Sequence, residues 1–479
     1  MAKPVIEPGA ELDGFTIGER VHQGGMATLW TVTHPGITVP LLMKVPRISE
    51  GEDPAAIVSF EMEQMILPRL AGPHVPGCFG TGTFDRQAYV VMERIPGKTL
   101  LSRLGELPIP YEEARVIAGK IATALADLHR QNVIHHDIKP SSIMFRPSGE
   151  CVLIDFGLSH HTQLPDLLQE EFRLPYGTAP YMAPERLLGV CDDPRSDLFS
   201  LGVLLYFFTT GERPFGESET LRGMRRRLWR DPYPPRKLKA DYPPWLQEIV
   251  LRCLETEPVW RHPTASQLAF DLAYPDQVKL TARSERLQRD PLSTVWRRRF
   301  NRSDTLPKPK SDVAAQLASG PIVVVALDIE EGSGTLNEYL RRAAAQLLTT
   351  LPSARLACLH VLKLGLITID RTLDEQGNNK HINRLVALRH WASPLELDEG
   401  RLTVHVLEAV DPAAAILEFT RVNQVDHIVI GARQNSMLRT LLGSVSSKVA
   451  AEAACTVTVV RPPRSLQAEA SGSSITGSD

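Results

Sequence analysis

A basic segment with few apolar residues separates two stretches of the chain whose apolar patterns differ. Residues 276–319 hold ten Lys or Arg against five Asp or Glu and show no apolar periodicity. A segment of this composition is typical of a linker. The chain has 479 residues, whereas a single hydrophobic core rarely serves more than roughly 250–300 residues. The sequence therefore predicts two folded domains, one on each side of a linker.

The first stretch opens with short strand-like runs and becomes helical further along. LLMKV (41–45) and YVVME (89–93) are short apolar runs typical of strands. Later apolar residues recur at a spacing of three to four, which indicates amphipathic helices. This order predicts an α+β domain in which a small sheet-rich lobe precedes a larger helical lobe.

The second stretch alternates strands with helices. Its strand-like runs read PIVVVAL, ARLACLHVL, RLTVHVL, DHIVIGA and TVTVV. Alternation of this kind predicts an α/β domain, a doubly wound parallel sheet covered by helices. Residues 463–479 are rich in Ser and Gly, and this composition predicts a disordered tail.

Composition limits the compartment and the partners. The formal net charge of −3 gives no general attraction to nucleic acid or to an anionic membrane. The six cysteines are scattered without a C-x-x-C pair, so neither a zinc site nor a disulfide framework is predicted. The N-terminus lacks an apolar signal core, and the apolar run at 201–208 is too short to span a bilayer. We therefore expect a cytoplasmic protein with no nucleic-acid or membrane partner.

Three motifs in the first stretch carry charged residues at short, fixed spacing: VIHHDIKPSSI, VLIDFG and GTAPYMAPE. Phosphoryl transfer needs an oriented hydroxyl, cations on the phosphates and a bridging metal ion. In this order the motifs resemble those of the eukaryotic-like (bacterial) serine/threonine protein kinase family. The resemblance implies the bilobal kinase fold over residues 14–274, with ATP and Mg²⁺ (or Mn²⁺) as cofactors and Ser/Thr-bearing proteins as substrates.

The resemblance also assigns the reacting groups. Asp137 matches the catalytic-loop base that accepts the proton of the substrate hydroxyl. Lys139, in the D-x-K-P form typical of Ser/Thr kinases, would neutralise charge on the transferred phosphate. Asp155 of the Asp-Phe-Gly motif would bind the metal ion. Ser142 stands at the second metal-binding position, where the family has asparagine.

Residues of the predicted sheet-rich lobe would form the ATP site. Lys44 matches the lysine that contacts the α- and β-phosphates, with Glu63 as its expected ion-pair partner and Glu61 as the alternative. The phosphate-covering turn lies in VHQGGMATLW, where glycines let backbone N–H groups approach the phosphates. The remaining ATP-site residues are Val21, Gly24, Gly25, Ala27, Leu29, the gatekeeper Met92, and the adenine-facing Glu93 and Ile95.

Three residues depart from the family pattern and leave an alternative open. Ser142 is a poorer metal ligand than asparagine, and His22 replaces a glycine of the phosphate-covering turn. Leu42 replaces a small alanine and would sit over the adenine site. The alternative is a weak or inactive pseudokinase that acts as a nucleotide-binding scaffold.

Other matches concern structure and regulation. Glu185 and Arg261 would form a buried ion pair, and Asp197 would brace the catalytic loop. His136 replaces the arginine that is paired by an activation-loop phosphate in many kinases. We therefore expect the loop to be active without phosphorylation of Ser159 or Thr162. 

The basic run LRGMRRRLWR at 221–230 has two interpretations. It is either a solvated helix face or a docking site for acidic substrates, because clustered arginines pair well with carboxylates and phosphates. The sequence alone leaves both open.

The second stretch resembles the universal stress protein family over 320–462. The resemblance rests on the βα alternation and on GARQNSMLRTLLGSVSSKVA followed by CTVTVV. It implies a module that is often a homodimer and a second nucleotide site at Asp328, Gly431, Gly443 and Ser444. The glycine spacing departs from that of ATP-binding members, so a structural or dimerising domain is the alternative. The predicted organisation is thus a kinase domain at 14–274, a basic linker at 275–319, a stress-protein-like domain at 320–462 and a tail at 463–479.

Overall fold

The computed structural model describes residues 6–47, 54–172, 176–217, 220–301, 321–329, 334–364, 379–398, 401–432 and 444–462. The chain forms two compact units, one holding the described residues up to Asn301 and the other those from Pro321 onward. The predicted tail at 463–479 lies outside the described residues. We describe each unit by itself.

The first unit begins with an antiparallel six-stranded sheet in the order β1-β2-β3-β4-β6-β5. Its strands are β1 Glu11–Leu12, β2 Phe15–Gln23, β3 Ala27–His34, β4 Ile37–Pro46, β5 Cys78–Gly82 and β6 Tyr89–Glu93. Leu41 and Met43 of β4 are buried in its core, whereas the alternate residues Leu42 and Lys44 face the other side. Helix α1, Pro54–Ile66, buries Ile57, Phe60 and Met62 against this lobe.

The second lobe of this unit is helical. Its longer helices are α2 Tyr111–Arg130, α4 Arg195–Thr210, α7 Pro244–Cys253 and α8 Ala265–Ala273. Shorter helices are α3 Leu167–Glu171, α5 Leu221–Met224, α6 Pro235–Leu238, α9 Ala282–Glu285 and α10 Leu292–Asn301. The apolar run at 201–208 lies in α4, which is buried on nearly all sides and packs against α2 and α7. Burial inside the lobe explains why α4 is so apolar.

Two small antiparallel pairs frame the catalytic loop. β7 Val133–Ile134 pairs with β10 His160–His161, and β8 Ile143–Phe145 pairs with β9 Cys151–Leu153. Residues 135–142 connect β7 to β8, and the Asp-Phe-Gly motif follows β9. The pairing therefore brings both motifs to the same place. The predicted bilobal α+β fold is confirmed.

The described part of the predicted linker packs on the helical lobe. Arg283 Nε donates to Glu255 Oε1 at 2.8 Å. Arg286 Nη2 and Arg298 Nη1 donate to the two oxygens of Asp231 at 3.0 and 2.9 Å. Basic residues that indicated a linker thus partly form ion pairs with the lobe. The boundaries at 274 and 319 stay predictions.

The second unit is a five-stranded parallel sheet in the order β13-β12-β11-β14-β15. Its elements are β11 Ile322–Ala326, α11 Gly334–Thr350, β12 Arg355–Lys363, α12 Lys380–Ala392, β13 Leu402–Ala409, α13 Pro412–Val422, β14 His427–Gly431, α14 Ser444–Glu452 and β15 Thr456–Val460. Val323, Val324 and Val325 of β11 are all fully buried. Successive strand residues point to opposite faces, so helices cover both faces of the sheet. The predicted α/β fold is confirmed.

Among the described residues, the structure has no helix that is both long enough and apolar enough to cross a bilayer.

Candidate active site

The catalytic loop places Asp137 against Lys139 and Thr178. Lys139 Nζ forms an ion pair with Asp137 Oδ2 and donates to Thr178 Oγ1 at 3.0 Å. The Thr178 hydroxyl donates to Asp137 Oδ1 at 2.7 Å, and the Thr178 backbone N–H donates to the same oxygen at 3.1 Å. The predicted base and the predicted cation therefore meet a threonine of the segment that precedes Ala-Pro-Glu.

A second charged group joins the two lobes. Lys44 Nζ lies 2.5 Å from Glu63 Oε2 and 3.1 Å from Asp155 Oδ1. Glu63 lies in the last turn of α1, and its side chain is almost fully buried. The structure thus selects Glu63 over Glu61 as the partner of Lys44. Three residues far apart in sequence meet as predicted.

Charge interactions in this group fix its ionisation. Although burial alone would lower the pKa of Lys44, the carboxylates of Asp155 and Glu63 raise it above its usual value. The Lys44 ammonium, with a smaller contribution from Lys139, holds the pKa of Asp155 at about 2. Asp155 is therefore an anion at neutral pH.

The Asp-Phe-Gly motif adopts a strained, closely packed conformation. Asp155 has a φ of +71°, in the left-handed region that side chains rarely adopt. A Cβ at Gly157 would lie 2.3 Å from the Ser59 hydroxyl of α1, so only glycine permits this approach. Phe156 is fully buried, with its ring 5.3 Å from that of His135. Contact of this motif with α1 holds Asp155 near Lys44.

The phosphate-covering turn connects β2 to β3. Gly24 N–H donates to Ala27 O, and the Arg47 guanidinium donates to Gly24 O, both at 2.9 Å. A Cβ at Gly25 would meet nothing within 4 Å. The chain therefore leaves space at Gly25. Val21 lies in β2 and is 45% exposed, and Leu29 lies in β3, where it pairs with His22.

The predicted adenine hinge follows β6. Leu42 of β4 pairs with Met92 of β6, on the face that Lys44 shares. Ile95 is buried, and Glu93 accepts a hydrogen bond from Arg146 Nη2 at 2.9 Å. The ion pair between Glu93 and Arg146 joins the hinge to the residue that follows β8 and was not predicted. No motif indicated it, because the two residues are distant in sequence.

Ser142 lies in the 3-10 helix Pro140–Ser142 and is fully buried. Its hydroxyl lies 2.8 Å from Asp137 O and 3.0 Å from Lys139 O, and it accepts the Lys139 backbone N–H at 3.1 Å. These contacts stabilise the catalytic loop. Because the Ser142 hydroxyl already bonds to backbone groups, this geometry does not favour metal binding by Ser142. That role stays a prediction.

Asp197 braces the catalytic loop from α4. It accepts the backbone N–H groups of His135 and His136 at 2.9 and 2.8 Å. His129 Nε2 lies 2.9 Å from Asp197 Oδ2. Although burial opposes ionisation, the hydrogen bond from His129 lowers the pKa of Asp197 to about 2. The contribution of His129 was not predicted, since a histidine near the end of α2 carries no motif.

A buried ion pair closes the activation segment. The Arg261 guanidinium donates to Glu185 through two nitrogens, at 2.6 and 2.7 Å, and both side chains are buried. Two parallel hydrogen bonds fix both planes. The geometry agrees with the predicted pairing.

His136 takes the place of the family arginine without a charged partner. Its Nε2 lies 2.8 Å from Cys191 O, so this nitrogen carries the proton, and Nδ1 lies 3.2 Å from Ser196 Oγ. Burial, together with the nearby Arg186, lowers the pKa of His136 well below its usual value. Ser159 is also buried, and its hydroxyl donates to His135 O at 3.1 Å.

The predicted second nucleotide site is described only in part. Asp328 follows β11, and Gly431 ends the neighbouring strand β14. Ala326 pairs with Ile430, so these two strand ends lie side by side. Ser444 opens α14, whereas Gly443 lies outside the described residues. A nucleotide at this edge stays a prediction.

The geometry of the first unit fits a nucleotide with a divalent cation. The Asp155 side chain is half-exposed, and its Oδ1 contacts Lys44. Within the described residues no three His, Cys, Asp or Glu side chains could hold a metal ion by themselves. Phosphate oxygens and water would therefore have to complete the coordination of an ion on Asp155, as Mg²⁺ commonly requires.

Comparisons with known proteins agree with this geometry. Residues 15–271 match the sequence profile described as "Protein kinase domain", and residues 321–461 match that of the "Universal stress protein family". A probable serine/threonine-protein kinase of Clostridium perfringens is 27% identical over 61% of this chain and 41% of its own length. Serine/threonine-protein kinase PknB of Mycolicibacterium smegmatis is 30% identical over 57% of this chain and 46% of its own length.

The chain thus spans less than half the length of these relatives. The crystal structure of the Mycobacterium tuberculosis PknI kinase domain covers 57% of this chain and all of its own, with 22% identity and a TM-score of 0.44. The kinase profile covers more than half of the chain, and residues of its catalytic motifs form the two charged groups described above. The chain therefore belongs to the protein kinase family and carries a universal stress protein domain after its kinase domain.

Proposed function

We propose that this chain is a serine/threonine protein kinase that transfers the γ-phosphate of ATP to hydroxyl groups of proteins. One observation carries the proposal. Lys44, Glu63 and Asp155 meet in one charged group, and Asp137, Lys139 and Thr178 meet in another. A family member that had lost catalysis would have no need to keep both charged groups intact.

Binding is assigned to the first group. ATP with its divalent cation supplies the transferable phosphoryl group and the charge that holds it. Lys44 would contact the phosphates, and the hydrogen bond to Glu63 fixes the position of its ammonium group. Asp155 would hold the cation, Mg²⁺ in our proposal, since a carboxylate oxygen is the ligand that Mg²⁺ prefers. The backbone near Glu93 and Ile95 would face the adenine.

Proton transfer is assigned to the second group. Asp137 would accept the proton of the attacking Ser or Thr hydroxyl, at the carboxylate that now accepts the hydroxyl of Thr178. Lys139, beside it, would stabilise negative charge on the transferred group. The Thr178 contact supports this assignment, because it demonstrates that an aliphatic hydroxyl fits against Asp137 at 2.7 Å.

The test is transfer of labelled phosphate from ATP, with Mg²⁺ or Mn²⁺, to a generic basic protein. Asp137→Asn keeps the shape of the side chain and removes its basicity. We expect loss of at least about a hundredfold in rate for this variant, within the range of general base catalysis. Equal labelling by the wild type and the variant would reject the kinase proposal and leave the alternative of a nucleotide-binding scaffold.

We further propose that the kinase works in bacterial stress signalling, in the cytoplasm, with its C-terminal domain as a homodimerising module. All six cysteines are free thiols, which suits a reducing compartment. Strand β15 lies at an edge of the sheet and is mostly half-buried, so a second copy could cover it. Light scattering after gel filtration tests dimerisation, and a monomer mass at micromolar concentration would contradict it.

A further inference from the structure

The basic run at 221–230 forms one wall of a groove in the helical lobe. The groove has a volume of about 950 Å³ and is partly open to solvent. The opposite wall comes from the region around α10, which belongs to the predicted linker. The residues that the argument uses are Arg222, Arg225, Arg226, Arg230, Arg289 and Arg299. We call this set the arginine groove.

Four arginines of the groove, those of the basic run, carry charge that is not balanced by a described carboxylate. Arg222, Arg225, Arg226 and Arg230 are exposed, and no carboxylate of the described residues forms an ion pair with them. A solvated helix face would spread such charges over a convex surface. Here they converge with arginines from a distant part of the chain on one concavity.

The two carboxylates that line the groove are already neutralised by other arginines. Asp231 accepts from Arg286 and Arg298 at 3.0 and 2.9 Å. Asp290 accepts from Arg298 at 2.7 Å and also pairs with Arg286. This balanced group of four anchors the α10 region and does not draw on the four arginines of the basic run.

Aromatic rings hold two guanidinium groups in place. The Arg289 guanidinium lies 3.5 Å from the ring centre of Tyr233, and that of Arg299 lies 5.5 Å from the ring centre of Trp229. Such stacking orients a guanidinium while its N–H edge stays able to donate to a carboxylate. It also covers one face of each ring that a nucleic-acid base would otherwise use. Carboxylates are therefore favoured over bases.

The groove adjoins the segment that carries the substrate-side threonine. Leu221, at one end of the groove, and Met224 pack against Ala179, Met182 and Leu187. The next turn is fixed by Arg227, which donates to Met182 O. This packing connects one wall of the groove, through Leu221, to the segment that carries Thr178.

We infer that the arginine groove docks an acidic segment, rich in Asp and Glu, of the protein substrates of this kinase. This inference rests on the proposed kinase function and names a substrate class for it. A direct binding measurement separates this inference from the proposed kinase function, because docking in the groove needs neither ATP nor catalysis.

The experiment uses the full chain and two fluorescent carrier peptides, each with one threonine. One peptide has a glutamate tract, and the other has a glutamine tract of equal length. Arg225→Glu combined with Arg226→Glu is the test variant, and Lys237→Glu combined with Lys279→Glu is the control with the same charge change at exposed sites outside the groove.

We expect the glutamate peptide to bind the wild type and the control about tenfold or more tighter than the test variant, since two charge-assisted hydrogen bonds are lost. Binding by the Asp137→Asn variant should equal that of the wild type. In the phosphotransfer assay, the test variant should lose the preference in KM for the glutamate peptide.

Three results would overturn the inference. One is equal binding of the glutamate and glutamine peptides, and another is equal binding by the test and control variants. The third is displacement of the glutamate peptide by a single-stranded oligonucleotide of equal charge at equal or lower concentration. Binding of the glutamate peptide without phosphate transfer would reject the proposed kinase function and leave the docking inference standing.

Discussion

The imidazole Nε2 of His136 donates a hydrogen bond to the backbone carbonyl of Cys191, 2.8 Å away. In this way the residue before the catalytic base is tied to a segment beyond Ala-Pro-Glu by a neutral contact. In many kinases an arginine in this position is paired by a phosphate on the activation loop. A neutral histidine that already donates this hydrogen bond needs no phosphate partner.

We predict that activity does not depend on phosphorylation of the activation segment at Ser159 or Thr162. Ser159→Ala combined with Thr162→Ala should keep kcat within about twofold and lower stability by about 1 kcal/mol, because the Ser159 hydroxyl bond to His135 O is lost. Initial rates and chemical unfolding of the variant measure both quantities. A collapse of kcat would refute the prediction. Thr178→Ala is the contrasting variant, expected to lose activity because Thr178 contacts Asp137.

We predict that Lys44→Met lowers the phosphotransfer rate by about a hundredfold or more, since it removes a charge aimed at the phosphates. Lys237→Met changes an exposed lysine in the same way and should leave the rate unchanged. Labelled-phosphate transfer at saturating ATP measures the effect. Comparable rates for the two variants would show that Lys44 is not part of the active site.

Replacing Ser142 by the family asparagine should lower the Mg²⁺ concentration that gives half-maximal activity by several-fold. A carboxamide reaches further than a hydroxyl and is a better oxygen ligand. Ser142→Ala is the control. It should destabilise the loop by about 1–2 kcal/mol, because the Lys139 N–H and the Asp137 carbonyl lose a partner. An unchanged or higher Mg²⁺ requirement in Ser142→Asn would count against a metal-binding role for this position.

The Asp197 carboxylate should stabilise the fold in a pH-dependent way. Its pKa is about 2 in the folded chain and 3.8 ordinarily. Protonation therefore favours the unfolded chain, and the contribution of about 2 kcal/mol is complete above pH 4 and is lost as the pH falls toward 2. Denaturant unfolding of the wild type and Asp197→Asn across pH 5 to 2 measures it. A difference in stability that stays constant over this range would contradict the assignment.

Breaking the buried ion pair between Arg261 and Glu185 should lower the stability of the helical lobe more strongly than it lowers the rate of phosphate transfer. Arg261→Met or Glu185→Leu should each cost about 3–5 kcal/mol, because each leaves a buried charge unpaired. The double variant should be more stable than either single one, since no charge is then stranded. Urea denaturation compares the three. A double variant less stable than both single variants would show that the contacts are additive and independent.

Much of the fold and of the candidate site could be predicted because charged residues at fixed spacing leave few arrangements. Asp137, Lys139 and Asp155 stand in short motifs whose strands and turns bring them together. Glu63 and Glu61 could not be separated by sequence, since both lie on one helix and only its rotation relative to β4 selects Glu63.

Features that depend on distant contacts were missed. Arg146 pairs with Glu93, and His129 supports Asp197, yet neither residue stands in a motif. The basic composition of the predicted linker indicated no contacts with the helical lobe. Its contacts with Asp231 and Glu255 are formed only in three dimensions.

Packing around Gly431 bears on the predicted nucleotide site of the C-terminal domain. A Cβ at this position would lie 2.7 Å from the Leu336 side chain of α11. A larger residue at the end of β14 would therefore require Leu336 to shift, with or without a bound nucleotide. Packing alone thus favours a glycine here, so this glycine does not by itself indicate a ligand, and ligand specificity must be sought in the residues that follow it.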